Sequence, residues 1–178
     1  MRKNVNVFDY ADVICKSMKK GILLTTKHHD SVNTMTIGWA MLGIEWGKPI
    51  FIALVRESRF SKEYLDATGE FTVNIPIADI DNKILSVCGT KSGREVDKIQ
   101  VLSLDLVESE IISVPGIRQL PLTLECKVLY RQAQDPTQIP DFAMERYYPE
   151  VNLPLESGEK RDFHTAYYAE IVNTYIAE

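Results

Sequence analysis

Arg56, Ser58, Arg59 and Ser61 stand within six positions of one another and have the makeup of an anion site. Guanidinium forks match phosphate oxygens two at a time, and hydroxyls add short donors. If Ser61 opens a helix, the free N–H groups of its first turn point at the same place, and the helix dipole favours an anion there. The same spacing also fits a solvated strand-to-helix turn whose arginines pair with Glu57, Glu63 or Asp66. Upstream, Asn33-Thr34-Met35-Thr36 would, as an extended strand, offer backbone donors and acceptors to the edge of a flat heterocycle. A flavin needs such groups where charge grows on reduction; an ordinary polar strand start has the same residues. A wall of this kind beside an anion site suits a phosphorylated planar cofactor.

A third group, Cys88-Gly89-Thr90-Lys91-Ser92-Gly93-Arg94, joins two expected helices. Gly89 and Gly93 permit close backbone approach, and Ser92 and Arg94 could reach a ligand. A helix stop followed by a capping box explains both glycines and Ser92, but not Arg94. Cys88 lies on the apolar side of its helix and reads as a buried structural thiol. His28 and His29 share a polar turn without ligand-spaced carboxylates, so no metal is expected. His164 opens the last strand, where it could line a pocket or simply pack. Glu170 on that strand needs a partner if it is buried. The chain has no G-x-G-x-x-G, no G-x-x-x-x-G-K-[ST] and no G-x-S-x-G. A nucleotide would therefore have to bind in another way.

These groups must be held by one domain spanning 1–178, long enough to bury about 70% of its unfolded surface. The net charge of -5 argues against nucleic acid as a main partner. Three cysteines, none in a C-x-x-C pair, favour a reducing compartment over a disulfide framework. No apolar run approaches the ~18 residues of a membrane span, and no leader is evident, so a cytoplasmic protein is expected.

The apolar periodicity predicts a helix over 8–20, ended by Gly21, and strands at 21–26, 32–45 and 50–55. Ser61 is the expected cap of a helix over 62–68 closed by Gly69. Strand 71–75, a helix from 79 or 80 to 88, and a short helix opened by a Ser92–Glu95 capping box follow. Strands are expected at 104–107, 110–113, 122–132 and 164–176, the stretch 122–132 alternating as a one-sided strand. Residues 135–154, with four prolines, read as a surface excursion. Many antiparallel strands with few helices predict a mainly β fold, a closed barrel carrying short helices.

Taken in order, Asn33-x-Met35-Thr36-x-Gly38-Trp39, Lys48-Pro49, Val55-Arg56-x-Ser58-Arg59, Phe71-x-Val73-Asn74, Cys88-Gly89-x-x-Ser92-Gly93-Arg94-x-x-Asp97-Lys98, Leu124-Glu125-Cys126 and His164-x-x-Tyr167-x-x-Glu170-Ile171 resemble the flavin reductase-like (flavoredoxin) family over nearly the whole chain. The resemblance implies an antiparallel, FMN-binding split β-barrel that works as a homodimer. It implies that Arg56, Ser58, Arg59 and Ser61 hold the FMN phosphate, and that Asn33, Met35 and Thr36 border the isoalloxazine. Ser92, Gly93 and Arg94 would close the site, and His164 would approach from the dimer side. Glu57, where the family often has proline, must point away, and Ser61 stands where threonine is common. The implied activity is a flavin reductase-like oxidoreductase passing hydride from NADH or NADPH through FMN to a flavin or a redox protein. An FMN-binding electron carrier, or a binder of pyridoxal phosphate or haem, is the alternative. No side chain is expected to act as a general acid or base.

Overall fold

The computed structural model describes residues 2–150 and 161–177. In chain order the elements are β1 (Arg2–Asn4), α1 (Ala11–Met18), β2 (Ile22–His28), β3 (Ser31–Ile37), β4 (Ala40–Glu45), β5 (Lys48–Arg56), α2 (Phe60–Thr68) and β6 (Glu70–Ile75). They continue as α3 (Asn82–Thr90), α4 (Lys98–Val101), β7 (Leu106–Val107), β8 (Gly116–Ile117), β9 (Leu122–Ala133), α5 (Asp141–Tyr147) and β10 (His164–Ala177).

β-Branched and apolar residues dominate the long strands, which favours extended chain packed on both faces. They form one antiparallel sheet in the order β3-β2-β6-β9-β10-β5-β4, with β1 beside β10. β10 pairs with β9 along most of its length and meets β5 on its other side from His164 to Glu170. The sheet rolls around a core that includes Leu24, Met35, Phe51, Val55, Phe71, Leu124 and Tyr167. Its end strands β3 and β4 do not pair, so the barrel is split rather than closed by hydrogen bonds. A second cluster, Leu23, Ile84, Cys88, Leu104, Ile117 and Leu120, buries the outer face of β2 under α3 and the chain from 104 to 120.

Four expectations about the elements change. The run 32–45 is two strands, broken at Gly38–Trp39, where Trp39 turns its carbonyl to the Leu54 N–H (3.1 Å). Residues 110–113 are not a strand. The N–H groups of Glu110, Ile111 and Ile112 point instead at the buried Glu125 carboxylate (2.9, 2.7 and 3.1 Å), and that of Ser113 points at Glu70 (2.9 Å). For the same reason the first half of β9 is covered on both faces, with Thr123 and Glu125 as buried as Leu122 and Leu124. The expected helix from Ser92 does not form: Ser92 Oγ accepts from Arg94 N–H (3.2 Å), and Asp97 caps α4 instead.

Ser61 lies inside α2, which begins two residues earlier than expected with Arg59 rather than Ser61 at its cap, and Gly69 ends that helix at φ 67°. Residues 136–138 and 141–147 of the predicted excursion are short helical turns, and 151–154 lie outside the described residues. Glu170 finds Lys48 at 2.6 Å. Among the described residues no helix is long and apolar enough to cross a membrane.

Candidate functional site

Two clefts adjoin where β3, the start of α2, the α3–α4 connection and the start of β10 come together. The first, about 370 Å³, is lined by Asn33, Met35, Ser58, Arg59, Phe60, Ser61, Thr90, Lys91, Ser92, Gly93, Arg94, Glu95 and Lys98. The second, about 260 Å³, is lined by Met35, Thr36, Gly38, Trp39, Leu54, Arg56, Arg59 and His164. Met35 and Arg59 border both, so every predicted site residue lines one continuous region.

In the first cleft Asn33 and Ser61 are buried, and Asn33 Nδ2 donates to Ser61 Oγ (2.7 Å). Acting as acceptor leaves the serine proton available to a ligand. Gly93 sits so close to Asn33 Oδ1 and the Phe60 ring that a Cβ there would collide with both. Arg94 lies over Phe60, with its guanidinium 5.3 Å from the ring centroid, and pairs with Glu63. Arg59 Nη1 donates to the Gly89 carbonyl (3.0 Å). Lys98, only 4% exposed, donates to the carbonyls of Thr34 (2.8 Å) and Cys88 (3.4 Å). Cys88 and Gly89 lie in the last turn of α3, so the two cations sit on the negative end of that helix.

Among the described residues Lys98 has no carboxylate as a hydrogen-bond or ion-pair partner. Burial, and more weakly Arg59, lower its pKa, while Cys88 opposes them. A buried ammonium without an anion is costly unless something negative completes it. Burial pushes the Cys88 thiol up to about 11, which keeps it protonated and inert, as expected.

The second cleft is aromatic. The His164 ring stacks on Trp39 (centroids 4.8 Å apart, planes at 29°), and Tyr147 meets Trp39 edge-on at 5.1 Å. Arg56 is held by intrachain acceptors, donating to the carbonyls of Asp162 (2.6 Å) and Tyr147 (2.9 Å) with the Tyr148 ring beneath it. The Ser58 N–H and hydroxyl both donate to the Asp162 carboxylate (3.0 and 2.6 Å). Glu57 points away from the clefts to Thr165 and Lys62.

The His164 pKa is lowered from 6.5 to about 4, chiefly by burial and then by Arg56, with Asp162 opposing and Arg59 adding to the push. Between these values the unfolded chain binds a proton that the native state refuses. Stability is therefore full above about pH 6.5 and falls as the pH drops toward 4. The loss expected from this group is about 3 kcal/mol. Urea melts from pH 7 to 4 should show a steeper decline for the native protein than for His164→Gln. Parallel curves would mean that the imidazole is solvated.

Lys98, Asp162, Tyr148 and Gln134 belong to this region without having been singled out as site residues. Lys98 ended the quoted Ser92–Lys98 pattern, but a lone lysine carries no sign that it is buried. Asp162 lies 104 positions from the serine it contacts, and no local pattern announces such a pair. Among the described residues no group of three or more His, Cys, Asp or Glu could hold a metal.

The fold and clefts define an antiparallel split barrel with a cation-rich site between its third strand and three short helices. The chain belongs to the family described as flavin reductase like domain, whose model matches residues 16–178. Flavoredoxin from Methanosarcina acetivorans superposes with a TM-score of 0.62 at 22% identity, covering 89% of this chain and 68% of that one. An FMN-binding domain of a flavin reductases-like enzyme from Shewanella baltica gives 0.67 at 13% identity, covering 99% and 77%. At these identities the likeness is one of fold. An uncharacterized protein of Archaeoglobus fulgidus is 31% identical over 97 residues, 54% of this chain and 54% of its own, so the chain spans about half the length of that curated relative.

Proposed function

We propose that the chain is an FMN-dependent oxidoreductase that takes hydride from NADH or NADPH and passes electrons to a free flavin or a redox protein. The observation that carries this reading is the buried ammonium of Lys98, unpaired with any carboxylate among the described residues, beside Arg59 at a cleft that runs into an aromatic one. The residues present suit FMN. Arg59, Ser61, Ser92, Arg94 and Lys98 supply donors for a phosphate dianion, and the absence of a side chain at Gly93 keeps the cleft open. Asn33, Met35 and Thr36 on β3 would border the isoalloxazine, and Arg56 and His164 would stand across from them. A phosphate at Ser58 would take the place of the Asp162 carboxylate. Bound FMN supplies the hydride-accepting ring, and the protein positions it, excludes water and biases its charge.

Met41, Ile44 and Trp46, on or beside the unpaired edge of β4, are 52%, 70% and 61% exposed, which supports a homodimer. We place the protein in the cytoplasm on its three unpaired cysteines.

Titration with FMN is the test. Flavin fluorescence should quench on binding, and FMN at about a hundredfold its Kd should add about 2.7 kcal/mol, raising Tm by roughly 5–10 °C. Anaerobic NADH or NADPH should then bleach the flavin band. A colourless protein whose Tm ignores FMN would sink the reading, and bound FMN that no nicotinamide bleaches would make it an electron carrier.

A further inference from the structure

We infer that Gln134 and Tyr148 hold His164 as its Nδ1–H tautomer, so that the Nε2 lone pair is offered to the second cleft as an acceptor for the N–H of a carboxamide. The His164 backbone N–H lies 3.1 Å from Gln134 Oε1. A backbone N–H can only donate, so the amide oxygen must face it. Tyr148 Oη lies 2.8 Å from that same oxygen, which has no proton to give, so the tyrosine spends its single proton there. Tyr148 Oη is also 2.9 Å from His164 Nδ1. With the phenol proton committed, this contact is a hydrogen bond only if Nδ1 carries a proton and donates it.

The backbone holds the arrangement in place. Gln134 N–H donates to the His164 carbonyl (3.0 Å), so the two residues face each other across β9 and β10. Tyr148 is 3% exposed, and its ring packs against Phe163 and His164. A neutral imidazole protonated at Nδ1 is bare at Nε2. The ring is neutral at pH 7, since its pKa is lowered to about 4.

His164 shares the second cleft with Arg56 and Arg59, which are donors only, and with Thr36, whose hydroxyl donates to the Leu85 carbonyl (2.7 Å). The histidine therefore brings an unprotonated nitrogen acceptor to a cleft whose other polar side chains are two guanidinium donors and one hydroxyl. A primary carboxamide presents one oxygen for a guanidinium and one N–H for Nε2. That is the polar end of a nicotinamide, and this half of the inference rests on the function proposed above. Gln134 and Tyr148 are positioning residues that act through His164.

Long-range 1H–15N NMR of the FMN-free protein at pH 7 reads the tautomer directly, because the chain has three histidines and His164→Gln assigns the one concerned. A protonated-type shift at Nδ1 and an unprotonated-type shift at Nε2 are expected. Tyr148→Phe should move the ring toward Nε2–H, whereas Gln134→Glu, which keeps an oxygen acceptor, should retain the native tautomer. An Nε2–H ring in the native protein, or an unchanged spectrum in Tyr148→Phe, would overturn the inference.

The ligand half is read by KM with the FMN-loaded protein. NADH should be favoured about fivefold, the value of one hydrogen bond, over the reduced analogue whose carboxamide amino group is replaced by methyl. Tyr148→Phe should abolish that preference with kcat little changed. Equal KM values in the native protein would refute the carboxamide contact. Failure to bind FMN would refute the proposed function alone, and the NMR result would still decide the tautomer.

Discussion

Replacing Arg59 with alanine and Lys98 with methionine in one protein should weaken FMN binding about a thousandfold, two charge-assisted contacts at ~2 kcal/mol each. The two cations donate to the consecutive carbonyls of Gly89 and Cys88 at the end of α3 (3.0 and 3.4 Å), and Arg59 lowers the pKa of Lys98. Two like charges at one cleft repel, and the fractional charge of a helix terminus offsets only part of that. A phosphate dianion would complete both. Riboflavin, which has no phosphate, should lose far less than FMN. The variant without ligand should be about as stable as the native protein, because removing a buried cation compensates for the lost helix-end contacts. Calorimetric titrations with FMN and riboflavin, paired with guanidinium melts, separate these effects. Equal losses for the two flavins would move the phosphate elsewhere.

Glu125→Ala should destabilise the protein by about 4–5 kcal/mol and lower Tm by roughly 10–15 °C. The carboxylate is fully buried and gathers three successive N–H groups, those of Glu110, Ile111 and Ile112, together with Asn173 Nδ2 at 2.9 Å. Alanine removes every acceptor at once and leaves those donors facing a cavity, each at a cost of about 1–3 kcal/mol where water cannot enter. Glu125→Gln should cost about half as much, since one oxygen survives while the amide NH2 opposes the loop. Guanidinium melts of the three proteins provide the check. A cost under about 1 kcal/mol for the alanine variant would mean that water replaces the carboxylate.

The sequence was most legible where a pattern is local. Gly69 ended a helix because glycine takes the left-handed conformation cheaply, and the apolar spacing located β2, β5 and β6, though it ran β3 and β4 together. It misled where a distant group competes for the backbone. Ile111 and Ile112 have the composition of a strand, but Glu125 takes their N–H groups. Ser92 and Glu95 spell a capping box, but Ser92 bonds two residues ahead and Asp97 starts the helix. The site divided in the same way. The arginines, serines and glycine were recognisable as a set because phosphate chemistry restricts residue type. Lys98 was not, since lysine is read as a solvent-facing charge and only the fold puts it under β3. The Asp162–Ser58 contact depends on β10 lying beside β5, which no spacing encodes.

That placement of β10 also bears on how the molecule is made. The strands before it fall into two groups, β3-β2-β6-β9 on one side and β5-β4 on the other, and among the described residues β10 is the strand that joins them. During synthesis those groups emerge long before residues 164–177 can seam them together. Contacts spanning this much of the chain form slowly. The second cleft, with His164 on the seam and Arg56 across it, cannot exist until β10 has paired with β5. Flavin binding at this site would therefore have to wait for β10, and a nascent chain stalled before residue 164 should capture no flavin.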